Sequence, residues 1–199
     1  MLGLMCTDLH ELGFGAVDID GHLIEKLLGM GAHSFVFAND GEIDENYEPT
    51  HCFKVMKPGC SCEVEATCLR ALASASSLAA DGLIPRLVDV LKTAKGCDVL
   101  CMTPVGRRVR KAPDTGDYVV SLADQQPLRG PDLVKLVEIV QTIHTAGWAH
   151  RDIKPNNVLF ATGHVLLADF DAAVRLDDAD LTIWRGVHAY SALLIARCD

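Results

Sequence analysis

Short blocks of alternating apolar and polar residues dominate the first half of the chain, and this pattern is typical of β-strands. The sequence Asn-Asp-Gly at 39–41 is a turn signal. A helix is predicted over 62–77, where Ala and Leu recur at helical spacing. We expect strands over residues 22–28, 35–38, 50–57, 83–91 and 98–102.

The second half has a different pattern, which begins with a basic segment rich in turn-forming residues. This segment, 103–117, predicts a linker between two lobes. A helix should then begin at Pro131 and end at Gly147. Two short apolar strands, joined by Ala-Thr-Gly, are expected at 157–160 and 164–170. The apolar stripe of the helix should comprise Leu133, Leu136, Val137, Val140 and Ile143.

Composition and charge limit what the chain can bind. With 199 residues, 49% of them hydrophobic, the chain can form one folded domain. A formal net charge of −9 argues against nucleic acid or an anionic membrane as the main partner. The N-terminal residues lack the basic region of a signal peptide, and no apolar run could span a bilayer. We therefore expect an intracellular, cytoplasmic protein.

Eight cysteines are scattered along the chain. Without an export signal, reduced thiols are the favoured state. Cys52, Cys60, Cys62 and Cys68 were candidates for a metal site, but their spacing contains no paired C-x-x-C. A metal site and a disulfide remain as less favoured alternatives.

Two glycines after the first predicted strand are candidates for phosphate binding. Gly29 and Gly31 lack a Cβ, so backbone N–H groups beside them can approach phosphate oxygens closely. A dinucleotide-binding fold would require a helix next, whereas residues 35–38 predict a strand. The glycines should therefore lie at the tip of a β-hairpin.

A lysine and a glutamate are placed so that they could pair. Lys54 lies in the third predicted strand, where an exposed lysine is the ordinary alternative. Glu65 shares a helix face with Leu69 and Leu72, which should pack inward. A carboxylate on that face could hold the lysine in a fixed pose for gripping phosphates. Glu63 is the competing candidate on another face.

The densest set of polar residues lies in the sequence HRDIKPNNVLFATGHVLLADFD. His150, Arg151, Asp152 and Asn157 fit the pattern H-R-D-x-x-x-x-N, and Asp-Phe follows at 169–170. The glycine hairpin, the strand lysine, the helix glutamate and these two loops occur in the order found in one family. The chain thus resembles the eukaryotic-type protein kinases over most of its length.

The resemblance implies a role for each residue of this stretch. Asp152 would accept the proton of the substrate hydroxyl, and Lys154 would neutralise charge on the transferring phosphoryl group. Asn157 and Asp169 would hold magnesium through oxygen ligands. A lysine two residues after the catalytic aspartate resembles serine/threonine kinases, so the implied substrate is a protein with a Ser or Thr hydroxyl.

The resemblance also implies an ATP site in the earlier elements. Lys54, oriented by Glu65, would bind the α- and β-phosphates. Val36 would cover the adenine, and Met102 would be the gatekeeper before the hinge. ATP and Mg2+ are the implied cofactors. The residues expected to bind ATP are Gly29, Gly31, Val36, Lys54, Glu65 and Met102.

The fold implied by the resemblance is α+β and bilobal, like that of protein kinases. It would have a β-rich N-lobe with one helix and an incomplete helical C-lobe. Residues 1–199 would form a single kinase-like domain. We expect its N-lobe at about 22–103, its hinge or linker at about 104–116 and its partial C-lobe at about 117–199.

Several positions depart from the family pattern. Ser34 replaces the third glycine of the hairpin. Asp171 replaces the glycine of the metal loop, where its charge could strengthen metal binding or hinder phosphate approach. Val187, Leu193 and Leu194 stand where the family has Thr, Pro and Glu. The family's later helices are absent, which predicts a C-terminally truncated product or a partner chain that covers the incomplete C-lobe.

A regulatory phosphate is a further hypothesis. Thr182 is the only hydroxyl residue between Asp171 and Gly186. A phosphate on Thr182 could pair with Arg151, as often happens in the family. Alternatively, the neighbouring aspartates already supply that negative charge.

Three functions are compatible with the sequence. The first is ATP-dependent phosphorylation of protein Ser or Thr residues, which the retained catalytic positions favour. The second is a non-catalytic, nucleotide-binding pseudokinase or truncated regulatory module, which the changes at Val187, Leu193 and Leu194 favour. The third is a small-molecule kinase of the same fold. Arg151 counts against it, because such enzymes typically lack Arg after the loop histidine.

Overall fold

A computed structural model describes residues 18–19, 22–39, 50–93, 96–111, 118–120, 128–161 and 163–177. The chain divides into two units. The first comprises Met1–Ala66 and Leu87–Val105, and the second comprises Thr67–Arg86 and Gly106–Asp199. Thr182, Val187, Leu193 and Leu194 lie outside the described residues, as do Cys6 and Cys198.

The first unit contains a six-stranded sheet with the order β1-β2-β3-β4-β6-β5. One face carries a buried cluster of Phe35, Phe37, Phe53, Val55, Val99 and Cys101. Since side chains alternate along a strand, the even-numbered residues of β3, β4 and β6 lie on the opposite face. The strands are β1 (Asp18–Ile19), β2 (His22–Met30), β3 (Ser34–Asn39), β4 (Cys52–Met56), β5 (Arg86–Lys92) and β6 (Asp98–Thr103).

Helix α1 spans Glu63–Ala75. The side-chain oxygen of Ser61 accepts a hydrogen bond from the Glu63 N–H at 3.1 Å, which satisfies one of the unpaired donors at the helix start. Glu65, Leu69 and Leu72 are all buried, as their shared helical spacing predicts. Glu63 is exposed.

The second unit contains a four-stranded sheet with the order β11-β10-β7-β8 and a separate pair of β12 and β9. Helix α2 (Gly130–Thr145) ends before Gly147, whose φ of 82° is a conformation that favours glycine. A 3-10 turn at Pro155–Asn157 leads into the β10–β11 hairpin. The strands are β7 (Arg107–Lys111), β8 (Tyr118–Val120), β9 (Trp148–Ala149), β10 (Val158–Ala161), β11 (His164–Leu167) and β12 (Val174–Arg175).

Strand β7 is an element that the sequence did not predict, since it lies inside the expected linker of 104–116. It pairs with β8 and β10 in antiparallel register. Its sequence, RRVRK, has no alternation of apolar and polar residues. Strand pairing uses backbone groups, so contacts with neighbouring strands can override a weak local preference. The lobe boundaries proposed from the sequence remain a prediction.

The predicted apolar stripe of α2 is correct only in its C-terminal half. Val140 and Ile143 are buried together with Ile139, which the stripe omitted. Leu133 and Val137 are 51% and 46% exposed. The helix contacts β9 and β11, and its fully buried residues all lie in its C-terminal half. Neither described helix has the length and apolarity needed to cross a bilayer.

Replacing Gly106 by Ala should destabilise the second unit. A Cβ at this position would lie 2.7 Å from the Leu159 Cβ and 2.6 Å from its Cδ1, so the backbone would have to shift. Overpacking of this kind costs about 1–3 kcal/mol. A lower melting temperature in Gly106→Ala than in Gly130→Ala, where a Cβ meets nothing within 4 Å, would agree with this contact. Equal melting temperatures would contradict it.

Candidate active site

The first unit contains a buried ion pair between Lys54 and Glu65. The Nζ of Lys54 donates to Oε2 of Glu65 at 2.6 Å, and the two side chains are 6% and 2% exposed. Taking both charges out of water carries a penalty of several kcal/mol per ion, so such a pair is weak evidence for stability by itself. A buried cation held in one pose is, however, well suited to binding an anion. Glu65, and not Glu63, is the helix carboxylate that contacts Lys54.

The strand register gathers most of the proposed ATP-binding residues on one face of the sheet. Gly29 pairs with Val36, and Val36 pairs with Lys54, so the three form a row across β2, β3 and β4. Met102 pairs with Cys52, two residues from Lys54, and is buried. This face therefore combines the apolar side chains of Val36 and Met102 with the ammonium group of Lys54, opposite the phenylalanine-rich core.

Gly31 occupies the tip of the β2–β3 hairpin as predicted, whereas the prediction is wrong for Gly29, which lies within β2 and pairs with Val36. The Gly31 N–H donates to the Ser34 carbonyl at 2.9 Å. A Cβ at Gly31 would meet only Ser34, at distances of 3.8 Å and more, and its φ is not in the left-handed region. The fold thus does not need glycine at this position for space or for backbone shape. The remaining physical reason for a glycine at position 31 is that it allows a ligand to approach the backbone closely.

In the second unit, the Asp152 carboxylate is held by two side chains. Lys154 forms an ion pair with its Oδ2. Asn157 donates through Nδ2 to the same oxygen at 3.0 Å and to the Asp152 carbonyl at 2.8 Å. Asn157 is itself buried. These contacts fix the direction of a partly exposed carboxylate, as a catalytic base requires.

His150 supports this loop from inside and is only 1% exposed. Its Nδ1 accepts the Asp152 N–H at 3.2 Å, so the proton is on Nε2, which lies 3.0 Å from the Ala168 carbonyl. Its ring packs against Phe170 with centroids 4.6 Å apart. Burial lowers the pKa of His150, although nearby carboxylates oppose this effect. A neutral, structural histidine fits all three contacts.

Three carboxylates meet beside this loop. Asp152, Asp169 and Asp171 each offer an oxygen, and these oxygens lie within 4.8 Å of one another. The β10–β11 hairpin brings the segments together, since the Ala168 N–H donates to the Asn157 carbonyl at 2.9 Å. An all-oxygen set of this kind fits Mg2+, and Asn157 could add its Oδ1 because its Nδ2 is directed at Asp152.

Backbone strain is concentrated at the same loops. Among the described residues other than glycine, only Arg151 and Asp169 have positive φ, with values of 67° and 72°. Such conformations cost free energy and cluster at functional sites. Asp171 is not among these residues, so its replacement of the family glycine does not force a left-handed backbone.

The cysteines of the described part of the chain form no disulfide, and no group of them is placed to hold a metal ion. These residues are Cys52, Cys60, Cys62, Cys68, Cys97 and Cys101. Burial raises the pKa of Cys52 to about 12. Its thiol is therefore protonated at neutral pH and unreactive.

A family-level comparison matches the second part of the chain. The family model described as protein kinase domain matches residues 132–193. The chain is 43% identical over 56 residues to the citron rho-interacting kinase of Rattus norvegicus. This match covers 26% of the present chain and 3% of the rat protein. The chain therefore spans a small part of the length of this curated relative.

Solved structures share the fold over a larger part of the chain. The kinase PK-1 of Cydia pomonella granulovirus aligns with a TM-score of 0.59 and 17% identity, over 94% of this chain and 64% of that one. A chain of the CAK complex of Chaetomium thermophilum, bound to ATP-gamma-S, aligns with a TM-score of 0.53 and 24% identity, over 77% of this chain and 47% of that one. These matches confirm the kinase-like fold and the resemblance to eukaryotic-type protein kinases.

Proposed function

We propose that this chain, as a relative of the eukaryotic-type protein kinases, transfers the terminal phosphoryl group of ATP to Ser or Thr hydroxyls of proteins. The observation that carries the proposal is the arrangement around Asp152. Its carboxylate is fixed by Lys154 and Asn157 and lies within 4.8 Å of the Asp169 carboxylate. A directed base beside oxygen ligands for a metal is what this reaction needs.

In the proposed reaction, a substrate hydroxyl binds at Asp152. Its oxygen forms a bond to the terminal phosphorus of ATP while the bond to the leaving ADP oxygen breaks. The hydroxyl proton moves to the Asp152 carboxylate. Lys154, already beside that carboxylate, places a positive charge where the phosphoryl oxygens gather negative charge.

Magnesium held by Asn157 and Asp169 would neutralise phosphate charge. Asp171 lies in the same group of carboxylates, which supports a role in metal binding over the alternative that it repels phosphate. In the first unit, Lys54 would bind the α- and β-phosphates, held by Glu65 at 2.6 Å. Val36 would cover the adenine, with Met102 as the gatekeeper, and Gly29 and Gly31 would let backbone N–H groups approach the phosphates.

Asp169→Asn should remove most of the magnesium-dependent part of nucleotide binding. The amide is a weaker ligand than a carboxylate because it carries no charge. Saturating ATP with Mg2+, at 100 times the dissociation constant, stabilises a protein by about 2.7 kcal/mol, or about 5–10 °C in melting temperature for a chain of this size. We expect the variant to show only the smaller shift that the wild-type protein shows with ATP and a chelator.

The matched control for this experiment is Asp89→Asn. Asp89 is exposed on β5, so the same chemical change there should leave the magnesium-dependent shift intact. If Asp169→Asn keeps the full magnesium-dependent shift, Asp169 is not a metal ligand.

A further inference from the structure

Lys57 contacts the tip of the glycine hairpin in two ways. It follows β4 directly, and its backbone N–H donates to the His33 carbonyl at 2.9 Å, which extends the pairing of β3 and β4 by one bond. Its Nζ donates to the Gly31 carbonyl at 2.9 Å. Both ends of the three-residue tip at 31–33 are therefore hydrogen-bonded to Lys57, the residue that follows β4.

The bond from Lys57 fixes the peptide group between Gly31 and Ala32, and the bond to Ser34 fixes the preceding peptide group. The Gly31 N–H is bound to the Ser34 carbonyl, and the Gly31 carbonyl is bound to Lys57. In a planar trans peptide the carbonyl and the following N–H point in opposite directions. The Ala32 N–H is therefore directed away from Lys57. A backbone N–H held in one direction at a glycine tip is the kind of donor that binds a phosphate oxygen.

The lysine is itself anchored to the core of the first unit. Its Nζ lies 5.0 Å from the centroid of the Phe35 ring, within the range of a cation–π contact. Phe35 belongs to the buried cluster of the sheet. Core, aromatic ring, ammonium and hairpin tip thus form a continuous series of contacts.

We propose that Lys57 is a positioning residue for the phosphate-binding hairpin. It acts through the Gly31 carbonyl and orients the Ala32 N–H toward bound phosphate. The inference deepens the proposed function and rests on it, since it assumes that this hairpin binds the phosphates of a nucleotide.

The test compares Lys57→Met, which keeps an apolar stem over Phe35, with Lys57→Arg, which keeps both the donor and the charge. Dissociation constants are measured for ATP and for adenosine. Lys57→Met should raise the dissociation constant for ATP about tenfold, which is the effect of losing one charge-assisted hydrogen bond. The dissociation constant for adenosine should not change. Lys57→Arg should stay within about threefold of wild type. Lys135→Met, which removes an exposed lysine of α2, is the control.

A second measurement needs no ligand. Backbone hydrogen exchange in the hairpin tip should quicken in Lys57→Met and not in Lys57→Arg, because the tip loses one of its attachments. Unchanged exchange and unchanged ATP affinity in Lys57→Met would overturn the inference while leaving nucleotide binding intact. An equal loss of affinity for ATP and for adenosine in Lys57→Met would also overturn the inference. If the wild-type protein binds neither ligand, the proposed function fails first and this inference fails with it.

Discussion

Asp152→Asn is expected to lower the turnover number for phosphoryl transfer by about 10²–10⁴-fold. The amide keeps the shape of the carboxylate but cannot accept the hydroxyl proton at neutral pH. Nucleotide affinity should change little, because a general base acts on the transition state more than on bound ATP. The measurement is transfer of labelled phosphate to a Ser- and Thr-containing protein, together with the dissociation constant for ATP.

The control for this variant is Asp89→Asn, an exposed aspartate that should leave both quantities unchanged. Turnover equal to wild type in Asp152→Asn would show that the base is wrongly assigned. A wild-type protein that binds ATP but transfers no phosphate would instead support the alternative of a nucleotide-binding pseudokinase or regulatory module.

Glu65→Ala should have the largest effect on stability. It would leave the ammonium of Lys54, which is 6% exposed, without the carboxylate that holds it. Removing one partner of a buried pair costs about 3–5 kcal/mol, because the remaining buried charge loses the opposite charge that offset its removal from water. Chemical denaturation should report this loss as a lower midpoint. The surface pair of Lys135 and Glu138 provides a comparison, since breaking it in Glu138→Ala should cost only about 0.3–0.5 kcal/mol.

Replacing both members of the buried pair separates charge burial from packing. Lys54→Met combined with Glu65→Leu should recover most of the stability lost in Glu65→Ala, because both buried charges of the pair are then removed. ATP binding should nevertheless be weak in the double variant, since the cation for phosphate is gone. If Glu65→Ala costs no more than Glu138→Ala, the buried pair is not formed in solution.

The contact between Lys54 and Glu65 could be predicted from local patterns. A lysine inside an apolar strand and a glutamate spaced with Leu69 and Leu72 each indicate an inward position. The loops around 150–157 and 168–171 could also be recognised as a candidate site. Charged residues at the ends of short apolar strands cost free energy, so their presence indicates a function. The roles of Asp152, Asn157 and Asp169, however, were predicted from the resemblance to the protein kinase family, and the β10–β11 hairpin brings their segments together.

Features that depend on long-range pairing were harder to predict. Strand β7 has a basic sequence, and its pairing with β10 depends on a neighbour about fifty residues away. The predicted stripe of α2 followed the helical period, but the period does not reveal that the fully buried residues lie only in the C-terminal half of this helix. The bond from Lys57 to Gly31 has no sequence pattern, because it joins a strand end to a loop carbonyl 26 residues away.

Binding of ATP with Mg2+ to the wild-type chain, measured as a rise in melting temperature over a titration, tests the proposed function most directly. We expect a saturable rise of about 5–10 °C at 100 times the dissociation constant, reduced by a chelator. The rise should be weakened in Lys54→Ala with or without metal. A folded wild-type protein that shows no shift at millimolar ATP and Mg2+ would contradict both the kinase function and the nucleotide-binding alternative.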